Sequence, residues 1–471
     1  MAERLLIKGG TVLSMDPSVG DLAPGDVLVE DGTIVAVAPS IDAEDCEVLD
    51  ATGRIVLPGF VDTHRHTWQA PLRNIASDWT LFHYLAGLHT GLSRHFRPED
   101  TYAGNLLGTI EALSSGITTM LDWSHNLATP AHSDAAVAGL RDSGARAVFA
   151  HGGGAQQWGQ TPGNPNDHPA EDARRLRTEE FAANDGLVTM ALALRGPQFT
   201  TQEVTLNDWA LARELDLRVT VHVGDGELGK GRPIAWMLEQ GLLDDRTTYV
   251  HCNTLADDEL QMIADTGGTA SVAAPVEMQM GHGWPATGRL MGVGVRPSLS
   301  VDVCSGVGGD MFNQMRTVLF TQRALDYGEL ERRGITLTDG RELDLSCRDV
   351  LSFATIEGAR AVGLDDKIGS LTPGKRADIQ LIRADGVSMA PLNSPVAAVV
   401  QNAHAGLVET VLVDGRVVKR DAALDAELTS RAMRHADATR EHLLSAAADD
   451  AGVLSDARFD GTWVPDLHVH A

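Results

Sequence analysis

The sequence predicts an α/β protein, a parallel (β/α)8 barrel of the TIM type with a small β domain built from both ends of the chain. Two observations support this fold class. In the middle of the chain, eight short apolar runs alternate with helical stretches, a pattern typical of a parallel barrel. At each end, short β-rich segments are separated by Gly, Pro and Asp turns, and two such blocks can pair into one domain around a central insertion.

The β-rich segments define the predicted β domain. At the N-terminal end they are residues 5–8, 11–14, 26–30 and 33–37, and at the C-terminal end residues 377–382 and 409–416. Residues 425–448 are rich in Ala, Glu and Arg and are predicted to form a solvent-facing helix. We therefore expect the β domain in residues 1–57 and 369–424, the barrel in residues 58–368 and a C-terminal helical extension in residues 425–471.

The apolar runs are the predicted barrel strands. They comprise residues 55–61, 117–121, 145–150, 187–194, 217–221, 247–250, 269–273 and 298–301. Helices are predicted between several of them, for example over residues 101–113 and 256–264. The interval after the first run is long, so we expect a large loop to cover the mouth of the barrel there.

Composition and charge exclude several classes of protein. The chain of 471 residues has a formal net charge of −27. A strongly acidic surface repels phosphate backbones and anionic lipids, so we expect no binding to nucleic acid or to a membrane. The four cysteines form no Cys-x-x-Cys pair, and we find neither a signal peptide nor an apolar run of membrane-spanning length. A cytoplasmic location is therefore predicted.

Five polar residues follow the predicted barrel strands. His64 and His66 end the first run, His222 follows the fifth, His251 the sixth and Asp302 the eighth. Because the carboxyl ends of parallel barrel strands meet at one mouth, we expect these side chains to lie together. Three histidines and a carboxylate, with an open position for water, are typical ligands of a catalytic zinc or iron site.

Six segments, in order along the chain, resemble the motifs of a known superfamily. They are PGFVDTHRH (residues 58–66), GITTMLD (116–122), HCNTLADDE (251–259), DMFNQMR (310–316), ATIEGARAVGL (354–364) and IGSLTPGKRAD (368–378). They are similar to motifs of the amidohydrolase superfamily, in the aminohydrolase and chlorohydrolase branch that includes triazine hydrolases, S-adenosylhomocysteine deaminases and 8-oxoguanine deaminases. The resemblance implies a (β/α)8 TIM-like barrel with a small β-sandwich built from both termini.

The resemblance also implies one divalent metal ion, zinc with iron as the alternative, held by His64, His66, His222 and Asp302. Binuclear members of the superfamily bridge two metals with a carboxylated lysine on a barrel strand. Here Arg195 stands at the end of the fourth predicted strand, so a mononuclear site is expected. For the assembly, the family-level expectation is a homo-oligomer, a dimer.

The implied reaction is hydrolytic deamination of a small amino-substituted N-heterocycle, such as a purine, pterin, pyrimidine or triazine-like compound. The metal activates water, Asp302 accepts a proton from it, and His251 either polarises the reacting centre or holds the attacking oxygen. Asp225 carries a proton to the ring nitrogen. The branch usually has Glu at this position, and Asp is shorter by about 1.3 Å. Either the pocket brings the substrate closer, or a water intervenes, or the proton shuttle differs.

Two alternative functions stay open at this point. The same site can remove a halide or an alkylamine, or open a cyclic amide, because these reactions share the attack by activated water. The other alternative is a non-catalytic metal-binding scaffold. Such a protein would be expected to lack one of the metal ligands, and none of the four expected ligands is missing. The cytidine-deaminase class is excluded because its Pro-Cys-x-x-Cys motif is absent. We therefore predict a metal-dependent amidohydrolase that acts on carbon–nitrogen bonds other than peptide bonds.

Six residues are predicted to contact the substrate: Gln69, Trp79, His83, His125, Arg195 and Glu277. Gln69 lies three residues after His66, where related deaminases place a substrate-binding Gln or Glu. Trp79 and His83, with Tyr84, either stack on an aromatic ring or pack the long first loop. Arg195 either binds a polar substrate group or pairs with a structural acid. Glu277 either recognises an amino group or lies on a surface loop, in residues 275–283, where relatives often carry a Pro-Ser/Thr-Ser-Asn segment.

Overall fold

The strands of the protein form two sheets. The structure is a computed structural model that describes residues 4–154, 163–335 and 344–448. The N-terminal strands are β1 (Arg4–Leu13), β2 (Asp21–Glu30), β3 (Thr33–Ala38), β4 (Glu47–Asp50) and β5 (Arg54–Pro58). The next strands are β6 (Phe60–Arg65), β7 (Ile117–Ser124), β8 (Arg146–His151), β9 (Val188–Leu194), β10 (Val219–Val223), β11 (Thr247–His251), β12 (Thr269–Val272) and β13 (Ser298–Leu299). The C-terminal strands are β14 (Ile379–Arg383), β15 (Val408–Val413), β16 (Arg416–Arg420) and β17 (Ala423–Leu424).

Strands β6 to β13 form the predicted parallel barrel. They pair in chain order, and each strand runs parallel to its neighbours. The backbone of Asp302, just after β13, joins the last strand to the first. Its N–H donates to the His64 carbonyl oxygen at 2.9 Å, and its own carbonyl accepts from the His66 N–H at 2.8 Å. The predicted fold class is confirmed.

Strands from the two ends of the chain form the second sheet, which is mixed. Its order is β17-β16-β15-β14-β5-β1-β2-β3, with β4 paired to β1. The two ends meet where β5 and β14 pair antiparallel, with Pro58 opposite Ile379. Val12, Val56 and Leu381 belong to one apolar core that both ends share. The β domain built from both termini is therefore confirmed, and its strands are joined in a single sheet.

The first predicted barrel strand is divided between the two sheets. The apolar run 55–61 predicts one strand, whereas β5 ends at Pro58 and β6 begins at Phe60. The break lies at Gly59, where a Cβ atom would lie 2.1 Å from Thr118 Oγ1, so only glycine fits there. The sequence does not show this break. The residues on both sides of Gly59 are apolar and buried, so they have the pattern of one continuous strand. The division of the chain at residues 57, 368 and 424 stays a prediction.

Helices connect the barrel strands and flank the β domain. They are α1 (Leu81–Tyr84), α2 (Pro98–Ser114), α3 (Pro130–Ser143), α4 (Ala170–Glu179), α5 (Gln202–Leu215), α6 (Pro233–Glu239), α7 (Asp257–Asp265), α8 (Ala274–Met280), α9 (Thr287–Gly292), α10 (Met311–Arg332), α11 (Cys347–Phe353), α12 (Ile356–Ala361), α13 (Pro395–Gln401) and α14 (Ala426–Ala448). Among the described residues, no helix has the length and apolar character needed to cross a membrane.

The segment between β6 and α2, residues 66–97, is called the first-loop segment below. It contains α1 and three short 3-10 or π-helical turns, at Thr67–Leu72, Leu85–Gly91 and Leu92–His95. Trp68, Trp79 and Tyr84 are part of its apolar cluster, which also takes in side chains from α8. The long loop that the sequence predicts over the barrel mouth is thus a packed layer.

Helix α14 covers the outside of this layer. Ala432, Ala436 and Leu443 are buried on one face of the helix, and Thr439 Oγ1 donates to Asp100 Oδ1 of α2 at 2.8 Å. The prediction that this helix faces solvent is therefore wrong for the face that carries these buried residues. The small alanine side chains let the helix approach α2 closely. Because alanine is only weakly apolar, these residues form no clear apolar face in the sequence.

Candidate active site

Five polar side chains converge at the mouth of the barrel. His64 and His66 lie at the end of β6, His222 lies in β10, His251 ends β11 and Asp302 follows β13. All five are more than nine-tenths buried. They come together because the carboxyl ends of the parallel strands meet at this end of the barrel.

Three pairs of ligand atoms among these residues have the separation expected in a metal site. Asp302 Oδ1 lies 3.3 Å from Nε2 of both His64 and His66, and His64 Nε2 lies 3.2 Å from His222 Nε2. In a tetrahedral site with metal bonds of 2.0–2.1 Å, the ligand atoms lie about 3.3 Å apart. Imidazole nitrogens that face each other beside a buried carboxylate are also stabilised by a cation between them. His64, His66 and Asp302 therefore form one candidate group for a divalent metal ion, and His64 also belongs to a second candidate group with His222 and His251.

Backbone contacts orient the ligands. His66 Nδ1 donates to the carbonyl oxygen of Trp123 at 3.1 Å, so that the lone pair on Nε2 faces Asp302. Asp302 has a left-handed backbone, with φ +64°. Its backbone hydrogen bonds to His64 and His66 place its carboxylate between the two imidazoles. The residue that joins the last barrel strand to the first thus also completes the ligand set.

Burial and mutual contacts set the charges of the ligands. Loss of solvation lowers the pKa of His66 and of His222 well below the usual range, so both imidazoles are neutral. Burial acts to raise the pKa of Asp302, but its contacts with His64 and His251 outweigh that effect and hold the pKa below its usual range. Neutral imidazoles and an ionised carboxylate are the protonation states that metal binding requires.

His251 lies beside the ligands and is oriented by a buried acid. Its Nδ1 donates to Glu277 Oε1 at 3.1 Å, and its Nε2 lies 3.7 Å from both Asp225 Oδ1 and Asp302 Oδ2. Burial acts to lower the pKa of His251, but the three carboxylates outweigh it and raise the pKa to about 9. His251 therefore presents an Nε2–H toward the ligand cluster.

Glu277 lies in a different environment from the one that the sequence predicts. It is fully buried on α8, and its oxygens accept hydrogen bonds from His251 Nδ1 at 3.1 Å, Asn253 Nδ2 at 3.1 Å and the Ala273 N–H at 2.8 Å. Both oxygens are engaged by protein donors, so the predicted contact with a substrate amino group does not fit this position. Glu277 instead positions His251.

Asp225 is held by an amide from the neighbouring strand end. Gln198 Nε2 donates to Asp225 Oδ2 at 2.6 Å, and Gln198 Oε1 accepts from the Gly224 N–H at 2.8 Å. Burial acts to raise the pKa of Asp225, but the charge of His251 and the contact with the His282 imidazole outweigh it and lower the pKa from its usual value. Asp225 is therefore an ionised carboxylate next to His251.

A cavity adjoins the cluster and is the candidate substrate pocket. It is lined by His66, Leu81, Tyr84, Leu85, His89, Phe199, His222, Asp225, His251, Met280, His282, Asp302 and Val303. Side chains of the first-loop segment form part of its wall, and histidines and acids at the barrel mouth, with Phe199, Met280 and Val303, form the rest. Among the described residues that line it, there is no Arg or Lys.

None of the six residues predicted to contact the substrate lines the cavity. Gln69 Nε2 donates to the Tyr84 hydroxyl at 2.6 Å, and Gln69 Oε1 accepts from Ser305 Oγ at 2.7 Å. Gln69 therefore positions Tyr84, which does line the cavity. The His125 ring lies 4.2 Å from the His66 ring, centroid to centroid, so His125 packs behind a metal ligand.

Trp79, His83 and Arg195 also lie outside the lining. Trp79 is buried in the cluster of the first-loop segment, and His83 Nδ1 lies 2.8 Å from Thr80 Oγ1 at the start of α1. Arg195 donates to the carbonyl oxygen of Asn166. Trp79 and His83 are thus engaged in the local packing and hydrogen bonding of the first-loop segment, which is the alternative that the sequence left open for them. Arg195 bonds to a backbone carbonyl, whereas the alternative predicted for it was a structural acid.

Two histidines of the cavity were not predicted. His282 follows the end of α8 by two residues, inside the segment 275–283, and the departure of that segment from its relatives is the one sequence signal that points to it. His89 lies in the π-helical turn Leu85–Gly91, and no local pattern marks it. Both reach the cavity through the packing of loops that are distant in sequence.

Comparisons with known proteins agree with this geometry. The chain matches the family model described as Amidohydrolase family over residues 55–418. A 5'-deoxyadenosine deaminase from Methanothermobacter thermautotrophicus is 30% identical over 453 residues, which cover 94% of this chain and 99% of the relative. A 5-methylthioadenosine/S-adenosylhomocysteine deaminase from Symbiobacterium thermophilum is 30% identical over 442 residues, which cover 89% of this chain and 94% of the relative.

A solved structure shares the fold. It is an adenosine deaminase from Xanthomonas campestris with bound zinc, and it superposes with a TM-score of 0.80 at 23% identity. The match covers 94% of this chain and 98% of that chain. The β domain and the barrel therefore occur together in both proteins.

Proposed function

The chain belongs to the amidohydrolase family, and from that premise we propose that it is a zinc-dependent deaminase of adenine nucleosides. The reaction consumes one water, replaces the amino group of the purine by oxygen and releases ammonia. Two relatives that match most of the chain are deaminases of such compounds, which supports the deaminase predicted from the sequence. The observation that carries the proposal is a pair of candidate metal-ligand groups that share His64, with Asp225 and His251 beside the same cavity.

The proposed cofactor is a single zinc ion at His64, His66, His222 and Asp302. When bound, it supplies Lewis-acid activation of a water molecule. Three imidazoles and a carboxylate suit zinc and also iron(II), so metal analysis of the purified protein separates the two. The zinc in the structure of the Xanthomonas campestris enzyme supports the choice.

Asp302 and His251 act on the attacking water. Asp302 is ionised, so it accepts one proton of the water and returns it to the leaving amino group. His251 Nε2 lies 3.7 Å from Asp302 Oδ2, and its N–H stabilises the negative charge that develops on the attacking oxygen. Glu277 keeps His251 in that orientation.

Asp225 acts on the edge of the substrate ring. Gln198 occupies its Oδ2, whereas Oδ1 has no hydrogen-bond partner within the described residues. Oδ1 is therefore the atom through which Asp225 takes part in the transfer of the second water proton to the ring nitrogen. Protonation of that nitrogen makes the adjacent carbon a better electrophile.

The lining of the cavity supports an uncharged substrate. Leu81, Leu85, Phe199 and Met280 are among its residues, and apolar and aromatic side chains suit the faces of a heterocycle. A nucleotide would bring a phosphate, which needs a cation or several N–H donors. Since no described Arg or Lys lines the cavity, a nucleoside is favoured over a nucleotide.

The experiment that tests the proposal measures ammonia release by the zinc-loaded protein. The panel contains adenosine, 5'-deoxyadenosine, 5'-methylthioadenosine, S-adenosylhomocysteine and AMP, with a chlorotriazine and a cyclic amide for the alternative reactions. We expect kcat/KM for the best nucleoside to exceed that for AMP by about 100-fold or more. Asp302→Asn is the control, with turnover reduced to background. Release of chloride or ring opening, without ammonia from any nucleoside, would contradict the proposal.

A further inference from the structure

We propose that His282 is a further catalytic residue, which works with Asp225 to move a proton from the attacking water to a ring nitrogen of the substrate. The proposal rests on the proposed function and adds a group that neither the family motifs nor the metal cluster includes. It follows from the position, burial and unused nitrogen atoms of this side chain.

His282 is buried beside the cavity with both ring nitrogens unused. Its exposed fraction is 3%, and it lines the same cavity as Asp225 and His251. Within the described residues, neither Nδ1 nor Nε2 forms a hydrogen bond. A buried polar group left without a partner destabilises the folded protein. An unpartnered imidazole at the wall of a cavity therefore points to a partner that arrives with the substrate.

Asp225 offers a matching unused atom. Its Oδ1 has no hydrogen-bond partner within the part of the chain that the structure describes, and His282 Nδ1 lies 3.5 Å from it. A small rotation of the imidazole brings this pair within hydrogen-bond distance. Once Nδ1–H donates to the carboxylate, Nε2 is the atom that accepts and releases a proton toward the cavity.

The backbone sets the spacing of the pair. The His282 N–H donates to the Glu277 carbonyl oxygen at 2.9 Å, and the His282 carbonyl accepts from the Gly226 N–H at 2.8 Å. Gly226 directly follows Asp225, so one hydrogen bond joins the two loops next to both side chains. The His282 ring also meets the His251 ring edge-on, with centroids 4.7 Å apart.

His282 also explains how Asp225, which is shorter than the Glu that relatives usually carry, can serve at this position. A carboxylate on Asp225 reaches about 1.3 Å less far than one on Glu. A misplacement of about 1 Å in a reacting group can cost 100-fold in rate. An imidazole between the carboxylate and the substrate restores the reach that the shorter side chain lacks.

The proposed step balances in protons and bonds. As the C–O bond forms at the carbon that bears the amino group, one water proton passes to Nε2 of His282 and on to the ring nitrogen. The double bond between that nitrogen and the carbon becomes single. The second water proton passes through Asp302 to the amino group, the C–N bond breaks and ammonia leaves. His282 and Asp225 end in their starting protonation states.

The activity test compares full-length, zinc-loaded variants. They are His282→Ala, Asp225→Glu, the double variant Asp225→Glu/His282→Ala, and His404→Ala, which changes an exposed histidine and serves as control. We expect His282→Ala to lower kcat about 100-fold with little change in KM or melting temperature. The double variant should recover at least tenfold of that loss, since the longer acid extends into the vacated space, and added imidazole should also restore turnover.

A second measurement does not depend on turnover. The 15N resonances of the His282 imidazole are identified by their loss in His282→Ala. They are expected to shift in Asp225→Asn if Nδ1 donates to this carboxylate. Unchanged resonances in Asp225→Asn would overturn the proposal whatever the substrate is.

Other outcomes are also decisive. A kcat for His282→Ala within threefold of wild type, or a double variant no faster than His282→Ala, overturns the proposal. Asp225, His251 and His282 also form a candidate cation cluster, so a metal content that falls from two ions per chain to one in His282→Ala overturns it in favour of a second metal site. If the wild type hydrolyses another heterocycle instead of a nucleoside, only the substrate class fails, and the same variants are compared on that compound. A wild type that hydrolyses none of the panel overturns both proposals.

Discussion

At the scale of single residues, the active site depends on side chains that do not line the cavity. His251 and Asp302 have backbone φ angles of +78° and +64°, and such conformations cost on the order of 1–3 kcal/mol each. They persist because neighbouring contacts hold them. Two backbone hydrogen bonds to the first barrel strand fix Asp302, and Glu277 fixes the ring of His251.

The role of Glu277 leads to a residue-scale prediction. Glu277→Gln is expected to lower kcat about 10- to 150-fold, because a hydrogen bond to a charged group contributes about 1.5–3 kcal/mol. KM and zinc content are expected to stay unchanged, since Glu277 contacts neither the cavity nor the four ligands. Steady-state kinetics and metal analysis measure these quantities.

The matched control for that change is Glu239→Gln, at the exposed end of α6, which should leave kcat unaltered. Loss of zinc together with activity in Glu277→Gln would contradict the assignment. In that case, Glu277 would support the metal site rather than the orientation of His251.

At the scale of elements, the C-terminal helix and the first-loop segment form one unit over the mouth. Leu443 and Ala447 of α14 are buried in the same cluster as Trp68 and Trp79. The Thr439 hydroxyl adds a buried hydrogen bond to α2. The cavity wall that carries Tyr84 and His89 is therefore braced from outside by a helix with no residue in the cavity lining.

This arrangement predicts that Leu443→Ala, a change in α14, affects the first-loop segment at the barrel mouth. Removing the buried side chain leaves a cavity that costs about 2–5 kcal/mol. The first-loop segment should therefore open more often, with faster amide exchange in residues 66–97 and a higher KM. Hydrogen–deuterium exchange and steady-state kinetics measure the two effects.

Leu428→Ala is the control on the same helix, because Leu428 packs against a separate cluster that includes Leu106 and Ile110. It should leave exchange in residues 66–97 unchanged. Equal exchange in that segment for Leu443→Ala and wild type would show that α14 does not brace the mouth.

At the scale of the whole molecule, the metal cluster links distant parts of the barrel. Its proposed ligands come from the end of β6, from β10 and from Asp302, three residues after β13, where the Asp302 backbone also joins the two ends of the barrel. A bound ion is therefore expected to stabilise the closed barrel as a whole, because its proposed ligands do not belong to a single loop.

Removal of the metal is accordingly expected to lower the melting temperature of the protein, and added zinc should restore it. An ion present at 1,000 times its Kd stabilises the folded state by about 4 kcal/mol. Calorimetry of the chelated and zinc-loaded protein measures the shift. Asp302→Asn, which lacks one ligand, should show a smaller shift, and an equal melting temperature with and without zinc in the wild type would contradict the assigned ligands.

The sequence by itself determined the barrel and the side chains proposed as metal ligands. Each ligand lies at or just after an apolar strand, and parallel strands bring their carboxyl ends together whatever the loops do. His64, His66, His222 and Asp302 could therefore be placed at one mouth from local order alone. The β domain was predictable for a similar reason, because turn-rich β segments stand at both ends of the chain.

Only the tertiary structure decided which side chains face the cavity. Gln69 and Glu277 have the residue types of substrate contacts, yet they bond to Tyr84 and His251. His282 meets Asp225 because the loops after α8 and β10 hydrogen-bond to each other. Contacts between loops distant in sequence leave no local periodicity or spacing. The polar side chains at the strand ends could therefore be placed together from strand order, whereas the loop residues that line the cavity, such as His89 and His282, could not.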